Sequence, residues 1–160
     1  IEYLDFIADI HGLDADTKRS RIKEFLEALE LEGRENEMIS GYSQGMKQKI
    51  TIIAALLHKP RLLILDEPLS NIDPKSARIV KDLINGLSKE GVATVFSTHI
   101  LEIAEAICHG LTIMFQGEVL ASGTPAQMRE LAGMPGSGLE DAFLKLTGTG
   151  DIQEIVKALL

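Results

Sequence analysis

Leu62-Leu63-Ile64-Leu65-Asp66-Glu67-Pro68 is an apolar run without alternation that ends in two adjacent acids and a proline. Following Pro60, it predicts a strand over 61–66 buried on both faces, as strands inside parallel sheets are. Ligands of open parallel sheets gather beyond the carboxyl ends of the strands, which is where Asp66 and Glu67 fall. Neighbouring residues at a strand end point in different directions, so one carboxylate can face a hydrated magnesium ion while the other faces an attacking water. A plain Asp-Glu-Pro turn out of the sheet is the lesser reading, because the apolar run leads directly into the acids.

Outward from this strand, Asp73-Pro74 places a cap and a first-turn proline before a helix with Val80, Leu83, Ile84 and Leu87 inward. Gly91 closes that helix, and 92–96 predicts a second apolar strand, completing a strand-helix-strand unit of a length suited to a parallel crossover. Ser97-Thr98-His99 follows at its carboxyl end, where a histidine can donate a hydrogen bond to a phosphoryl oxygen. Upstream, Ser43 opens a helix reaching about His58, with Met46, Ile50, Ile53, Ala54 and Leu57 on its apolar face. The positive end of the helix dipole and a residue without a side chain at Gly45 would let a phosphate oxygen approach there; simple N-capping is the ordinary use of such a serine.

These residues together resemble the second half of the ATP-binding subunit of an ABC transporter. Ser43 and Gly45 are similar to the signature motif, Asp66 and Glu67 to Walker B, Ser70-Asn71-Ile72-Asp73 to the D-loop, and His99 to the switch histidine. Gln44 stands where the common signature has a second glycine, and Met46 where it has glutamine. The resemblance implies an α/β fold, a partial P-loop NTPase (RecA-like) parallel-sheet core with a helical subdomain and its N-terminal half missing. It further implies that Glu67 and His99 are catalytic, that Asp66 holds Mg2+ through water, and that Ser43, Gln44, Gly45, Met46 and Asp73 contact ATP or the dimer interface that encloses it. The implied partners are a transmembrane permease subunit and a second ATPase subunit, with the protein cytoplasmic and peripheral at the inner face of the cell membrane. The Tyr42-to-Gln48 form of the signature and the tail from Leu139 to Gly148 resemble the bacterial export-type subfamily.

The expected division is a helical subdomain segment over 1–42, the signature helix and the C-terminal part of the ATPase core over 43–131, and a linker with a helical tail over 132–160. In the first segment, Ile1, Leu4, Ile7 and Ile10 predict a short helix stopped by Gly12. Ile22, Phe25, Leu26 and Leu29 predict a second, capped by Asp14 or Asp16 and ended before Gly33. Past His99 the expectation is a helix over 101–108, then a hairpin of 111–115 and 118–122 about Gln116-Gly117, then a helix from Thr124-Pro125 to Leu131. The segment 133–138 reads as a flexible linker, and Asp151 as the cap of a last helix carrying Ile152, Ile155, Val156 and Leu159.

Composition narrows the classes. The 160 residues are 45% hydrophobic and 25% charged, ordinary for a globular domain. A net charge of -8 repels nucleic acid on average, so no nucleic-acid partner is expected. The lone Cys108 excludes an intrachain disulfide. Apolar runs such as 52–57 are too short to span a bilayer. Gly133 and Gly138 imitate the glycine spacing of a Walker A loop, but Leu139 and Glu140 stand where Lys and Ser/Thr are required. No Walker A loop therefore occurs in the 160 residues, and isolated activity is not expected. The alternative to a hydrolytic half-site is a non-catalytic dimerisation or regulatory module that keeps the signature and D-loop.

Overall fold

The structure, a computed structural model, describes residues 1–148. The expected helix beginning at Asp151 lies outside the described residues. The chain forms two compact units, the first running from Ile1 to Ser97 and the second from Thr98 onward.

In the first unit, α1 (Glu2–Ile10), α2 (Ala15–Ala28) and α3 (Gln44–Leu56) pack on one another. Leu4, Ala8, Ile22, Leu26, Leu29, Ile50 and Ile53 are buried, the side chains that recur at helical spacing. Asp14 is the cap of α2, its carboxylate accepting the Thr17 amide at 2.9 Å. That helix ends before Gly33: Glu30 takes the left-handed conformation at φ 58°, and the Leu31 amide reaches back to the Leu26 carbonyl. Arg21 ties α2 to the end of α3, donating to the Leu57 and Leu56 carbonyls at 2.7 and 3.0 Å. Those carbonyls lie at the negative end of the helix, where a guanidinium is favoured.

Strand β1 (Leu62–Asp66), helix α4 (Pro74–Lys89) and strand β2 (Ala93–Ser97) form the expected crossover. The strands are parallel, with Leu62 opposite Ala93 and Asp66 opposite Ser97. One expectation fails here. Leu63 is buried, but Ile64 is 71% exposed and Val95 on the paired strand 59%. Burial on both faces requires a layer on each side, and among the described residues the face bearing Leu62, Ile64 and Val95 has no cover.

The second unit holds α5 (Leu101–Ile107), the antiparallel pair β3 (Leu111–Phe115) and β4 (Glu118–Gly123), α6 (Pro125–Leu131) and α7 (Leu139–Leu146). Its core gathers Ala104, Ile113, Ala121, Met128 and Leu139. Gln116 and Gly117 have φ of 51° and 84°, the pair of positive values that lets a two-residue turn follow the strand twist. Thr124 and Gln127 cap α6 reciprocally. The segment 133–138 is more ordered than a flexible linker. The Gly133 and Met134 amides close α6 on the Glu130 and Arg129 carbonyls, and Ser137 turns back onto the Met134 carbonyl. This glycine-rich segment follows a helix, whereas a phosphate loop follows a strand.

Candidate functional site: paired acids at a strand end, the turn that follows and a capped helix

Asp66 ends β1 on the exposed face, and the Ser97 hydroxyl opposite it in the register donates to its Oδ1. The same hydroxyl accepts the Glu67 amide at 3.0 Å. Ser97 therefore joins the two acids through one oxygen. Asp66 offers a hard carboxylate oxygen at a strand end, a donor of the kind Mg2+ takes directly or through water.

Glu67 has φ 45°, in the left-handed region that costs a residue with a side chain about 1–2 kcal/mol. Such a conformation persists where surrounding groups fix it. Here the Glu67 carbonyl accepts Gln48 Nε2 at 3.2 Å and the Ser70 amide at 3.1 Å, while the Ser70 hydroxyl donates to Glu67 Oε2 at 3.1 Å. The twist at Glu67 turns its side chain away from the direction a continuing strand would give it.

The turn 70–73 leads from Glu67 into α4. Asp73 caps that helix, accepting the Ser76 amide and hydroxyl, each at 2.8 Å. Its Oδ2 also meets Lys49 Nζ at 2.7 Å, and Lys49 is 7% exposed. The Lys49 ammonium, joined by the Ser76 hydrogen bonds, holds the Asp73 carboxyl well below the usual carboxylate range.

Two changes at this pair have unequal expected effects. Asp73→Ala strips a cap and strands a buried ammonium, and should cost about 2–4 kcal/mol in denaturant unfolding. Lys49→Met leaves a half-exposed cap and an apolar side chain of similar length, and should cost under about 1.5 kcal/mol. Because the folded pKa of Asp73 is depressed, its stabilisation is complete above its unfolded value of about 3.9 and lost as pH falls toward the folded one. The stability difference between the native chain and Asp73→Asn should accordingly be constant near neutrality and shrink below about pH 4.

Ser43 is the cap of α3, its hydroxyl accepting the Met46 amide at 3.2 Å. Ser43 and Gln44 are exposed, and Gly45 and Met46 partly so. A Cβ at Gly45 would lie 2.5 Å from the Asn71 carbonyl oxygen, so this glycine lets the turn 70–73 pack against the first turn of α3. Asn71 itself has φ 61°. Close packing at Gly45, the Gln48 bond to Glu67 and the Lys49 pair to Asp73 join the first turns of α3 to the distant segment 67–73 in one assembly.

The expected residues Ser43, Gln44, Gly45, Met46, Asp66, Glu67 and Asp73 all lie in the first unit. His99 lies in the second, exposed, just before α5, where the Thr98 hydroxyl accepts the Ile100 amide at 3.1 Å. The sequence assigns no individual role to Gln48, Ser70 or Ser97, although each falls within a motif stretch quoted above, and none to Lys49, a cation on the same helical stripe as Ile53 and Leu56.

The sequence model of the ABC transporter family matches residues 4–70. The chain is 37% identical over 147 residues to the ABC-type transporter ATP-binding protein EcsA of Bacillus subtilis (strain 168), covering 92% of this chain and 60% of that protein. It is 36% identical over 149 residues to the linearmycin resistance ATP-binding protein LnrL of the same organism, covering 89% of this chain and 48% of that one. A solved ATP-binding subunit of an ABC transporter superposes with a TM-score of 0.84 at 34% identity, covering 91% of this chain and 61% of its own.

The chain belongs to the ABC transporter family. Its fold is that of an ABC ATP-binding subunit, a P-loop NTPase fold, and it spans about half to three-fifths of the length of these relatives. No helix among the described residues is long and apolar enough to cross a membrane.

Proposed function

We propose that the chain is the part of an ABC transporter ATPase that carries the hydrolytic carboxylates and the signature helix, and that a phosphate loop from outside these 160 residues completes its nucleotide site. The observation that carries this reading is the fixed left-handed turn at Glu67, held beside Asp66 at the carboxyl end of a parallel strand. Glu67 polarises the water that attacks the γ-phosphate, and its carboxylate is aimed by Ser70. Asp66 would hold Mg2+ through water, its oxygen oriented by Ser97. When bound, Mg2+ neutralises charge developing on the phosphoryl oxygens. His99 donates a hydrogen bond to the γ-phosphate.

Ser43 and Gly45, with Gln44 and Met46 beside them, contact the nucleotide held by a second ATPase subunit. The first amides of α3 lack intrahelical acceptors, and the helix dipole favours an anion there. Asp73 closes the turn that faces that second subunit. Hydrolysis drives a separate transmembrane permease, whose attachment places the ATPase at the inner face of the cell membrane. The relatives EcsA and LnrL, an ABC-type transporter ATP-binding protein and a linearmycin resistance ATP-binding protein, support this class of role.

The test joins the chain to the polypeptide encoded upstream of it. ATP turnover that appears only in the joined protein supports the proposal, and turnover by the 160 residues alone contradicts it.

A further inference from the structure

We infer that Gln48 is a positioning residue for the hydrolytic carboxylate, acting from the signature helix through the Glu67 backbone. The inference rests on the reading of Glu67 as the group that polarises the attacking water. Gln48 lies on α3, half-buried, one turn beyond Gln44, and its Nε2 donates to the Glu67 carbonyl at 3.2 Å. Glu67 is nineteen residues away in sequence, on a different element. Its φ of 45° is one that a residue with a side chain leaves unless its peptide groups are held.

Ser97 holds the amide end at 3.0 Å, and the Ser70 amide and Gln48 share the carbonyl end. The Ser70 bond is internal to the turn and would follow it if the turn relaxed. The Gln48 bond is different, because it fixes the turn against a helix built independently of it. Lys49 and Gly45 anchor the same helix to the following turn, at Asp73 and Asn71. Loss of the Gln48 bond therefore leaves the helix in place and frees chiefly the peptide after Glu67. The carboxylate would then sample directions other than that of the attacking water, which lowers the rate of chemistry and leaves nucleotide affinity alone.

Single-turnover and steady-state hydrolysis by the full-length subunit, with its partners, tests this in a double-mutant cycle of Gln48→Leu and Glu67→Gln. In the native background Gln48→Leu should lower kcat about tenfold, with KM for ATP within about twofold of native. In the Glu67→Gln background, where aim no longer matters, it should cause no further loss. An equal fractional loss in both backgrounds, a change confined to KM, or unchanged kcat would overturn the inference. If Gln48→Leu lowers the melting temperature, Gln48→Met, unbranched like the native side chain, is read in the same cycle. Native turnover retained by Glu67→Gln would instead overturn the assignment of Glu67 itself.

Discussion

Replacing Glu67 by glutamine in the full-length subunit is expected to lower ATP turnover by about a hundredfold to ten-thousandfold, with ATP affinity preserved. The substitution keeps the shape of the side chain and an oxygen that can accept from Ser70, whose hydroxyl lies 3.1 Å from Oε2. It also leaves the Glu67 amide and carbonyl on Ser97 and on Gln48 with Ser70. What disappears is the negative charge and basicity that draw a proton from water, so the loss should fall on kcat. Phosphate release measured beside equilibrium ATP binding separates the two. Equal turnover by native and variant proteins would remove Glu67 from the chemistry.

Gly45→Ala is the second change with a large expected effect, and its sign opposes the usual rule. Alanine in place of an ordinary helical glycine stabilises by about 0.5–1 kcal/mol. At Gly45 the new methyl would stand 2.5 Å from the Asn71 carbonyl oxygen, which is backbone and cannot rotate aside. Asn71 already sits at φ 61°, so the turn has little freedom to retreat. The expected outcome is a destabilisation of about 1–3 kcal/mol in denaturant unfolding. Turnover in the full-length subunit should fall at least about tenfold, because the segment displaced lies between Glu67 and the Asp73 cap. A denaturant midpoint equal to or above the native one would show that the turn and the helix do not meet as described.

Local features were legible in the sequence where one short segment decided them. Asp14, Ser43, Asp73 and Thr124 each cap the helix they precede, because a small oxygen-bearing side chain reaches an amide three residues on. Gln116-Gly117 turns the hairpin, with Gly117 taking positive φ without steric cost and Gln116, like Glu67, taking it at some cost. The apolar run at Leu62 misled as to burial, since a continuous run reports only that a residue is apolar. Whether a layer covers it depends on the rest of the fold, and here Ile64 and Val95 face outward.

The candidate residues could be named from sequence, but the contacts that support them could not. Register decides that Ser97 stands opposite Asp66, and thirty-one residues separate them. No periodicity announces the meeting of Gln48 with Glu67, or of Gly45 with Asn71. Gly45 is the sharpest case: sequence suggests that its missing side chain makes room for phosphate, and the fold places the Asn71 carbonyl where that side chain would be. An approach of nucleotide to α3 must then use other directions around the Gly45 amide. The left-handed turn at Glu67 is invisible in sequence for a related reason, since glutamate is not a residue selected for positive φ.

If the phosphate cradle lies outside these 160 residues, as proposed, the isolated chain should bind Mg-ATP only weakly. Isothermal titration of Mg-ATP into the isolated chain tests it most directly. No saturable heat should appear below about 1 mM ATP, an affinity weaker than about 4 kcal/mol. Stoichiometric binding in the micromolar range, roughly 8 kcal/mol, would contradict it.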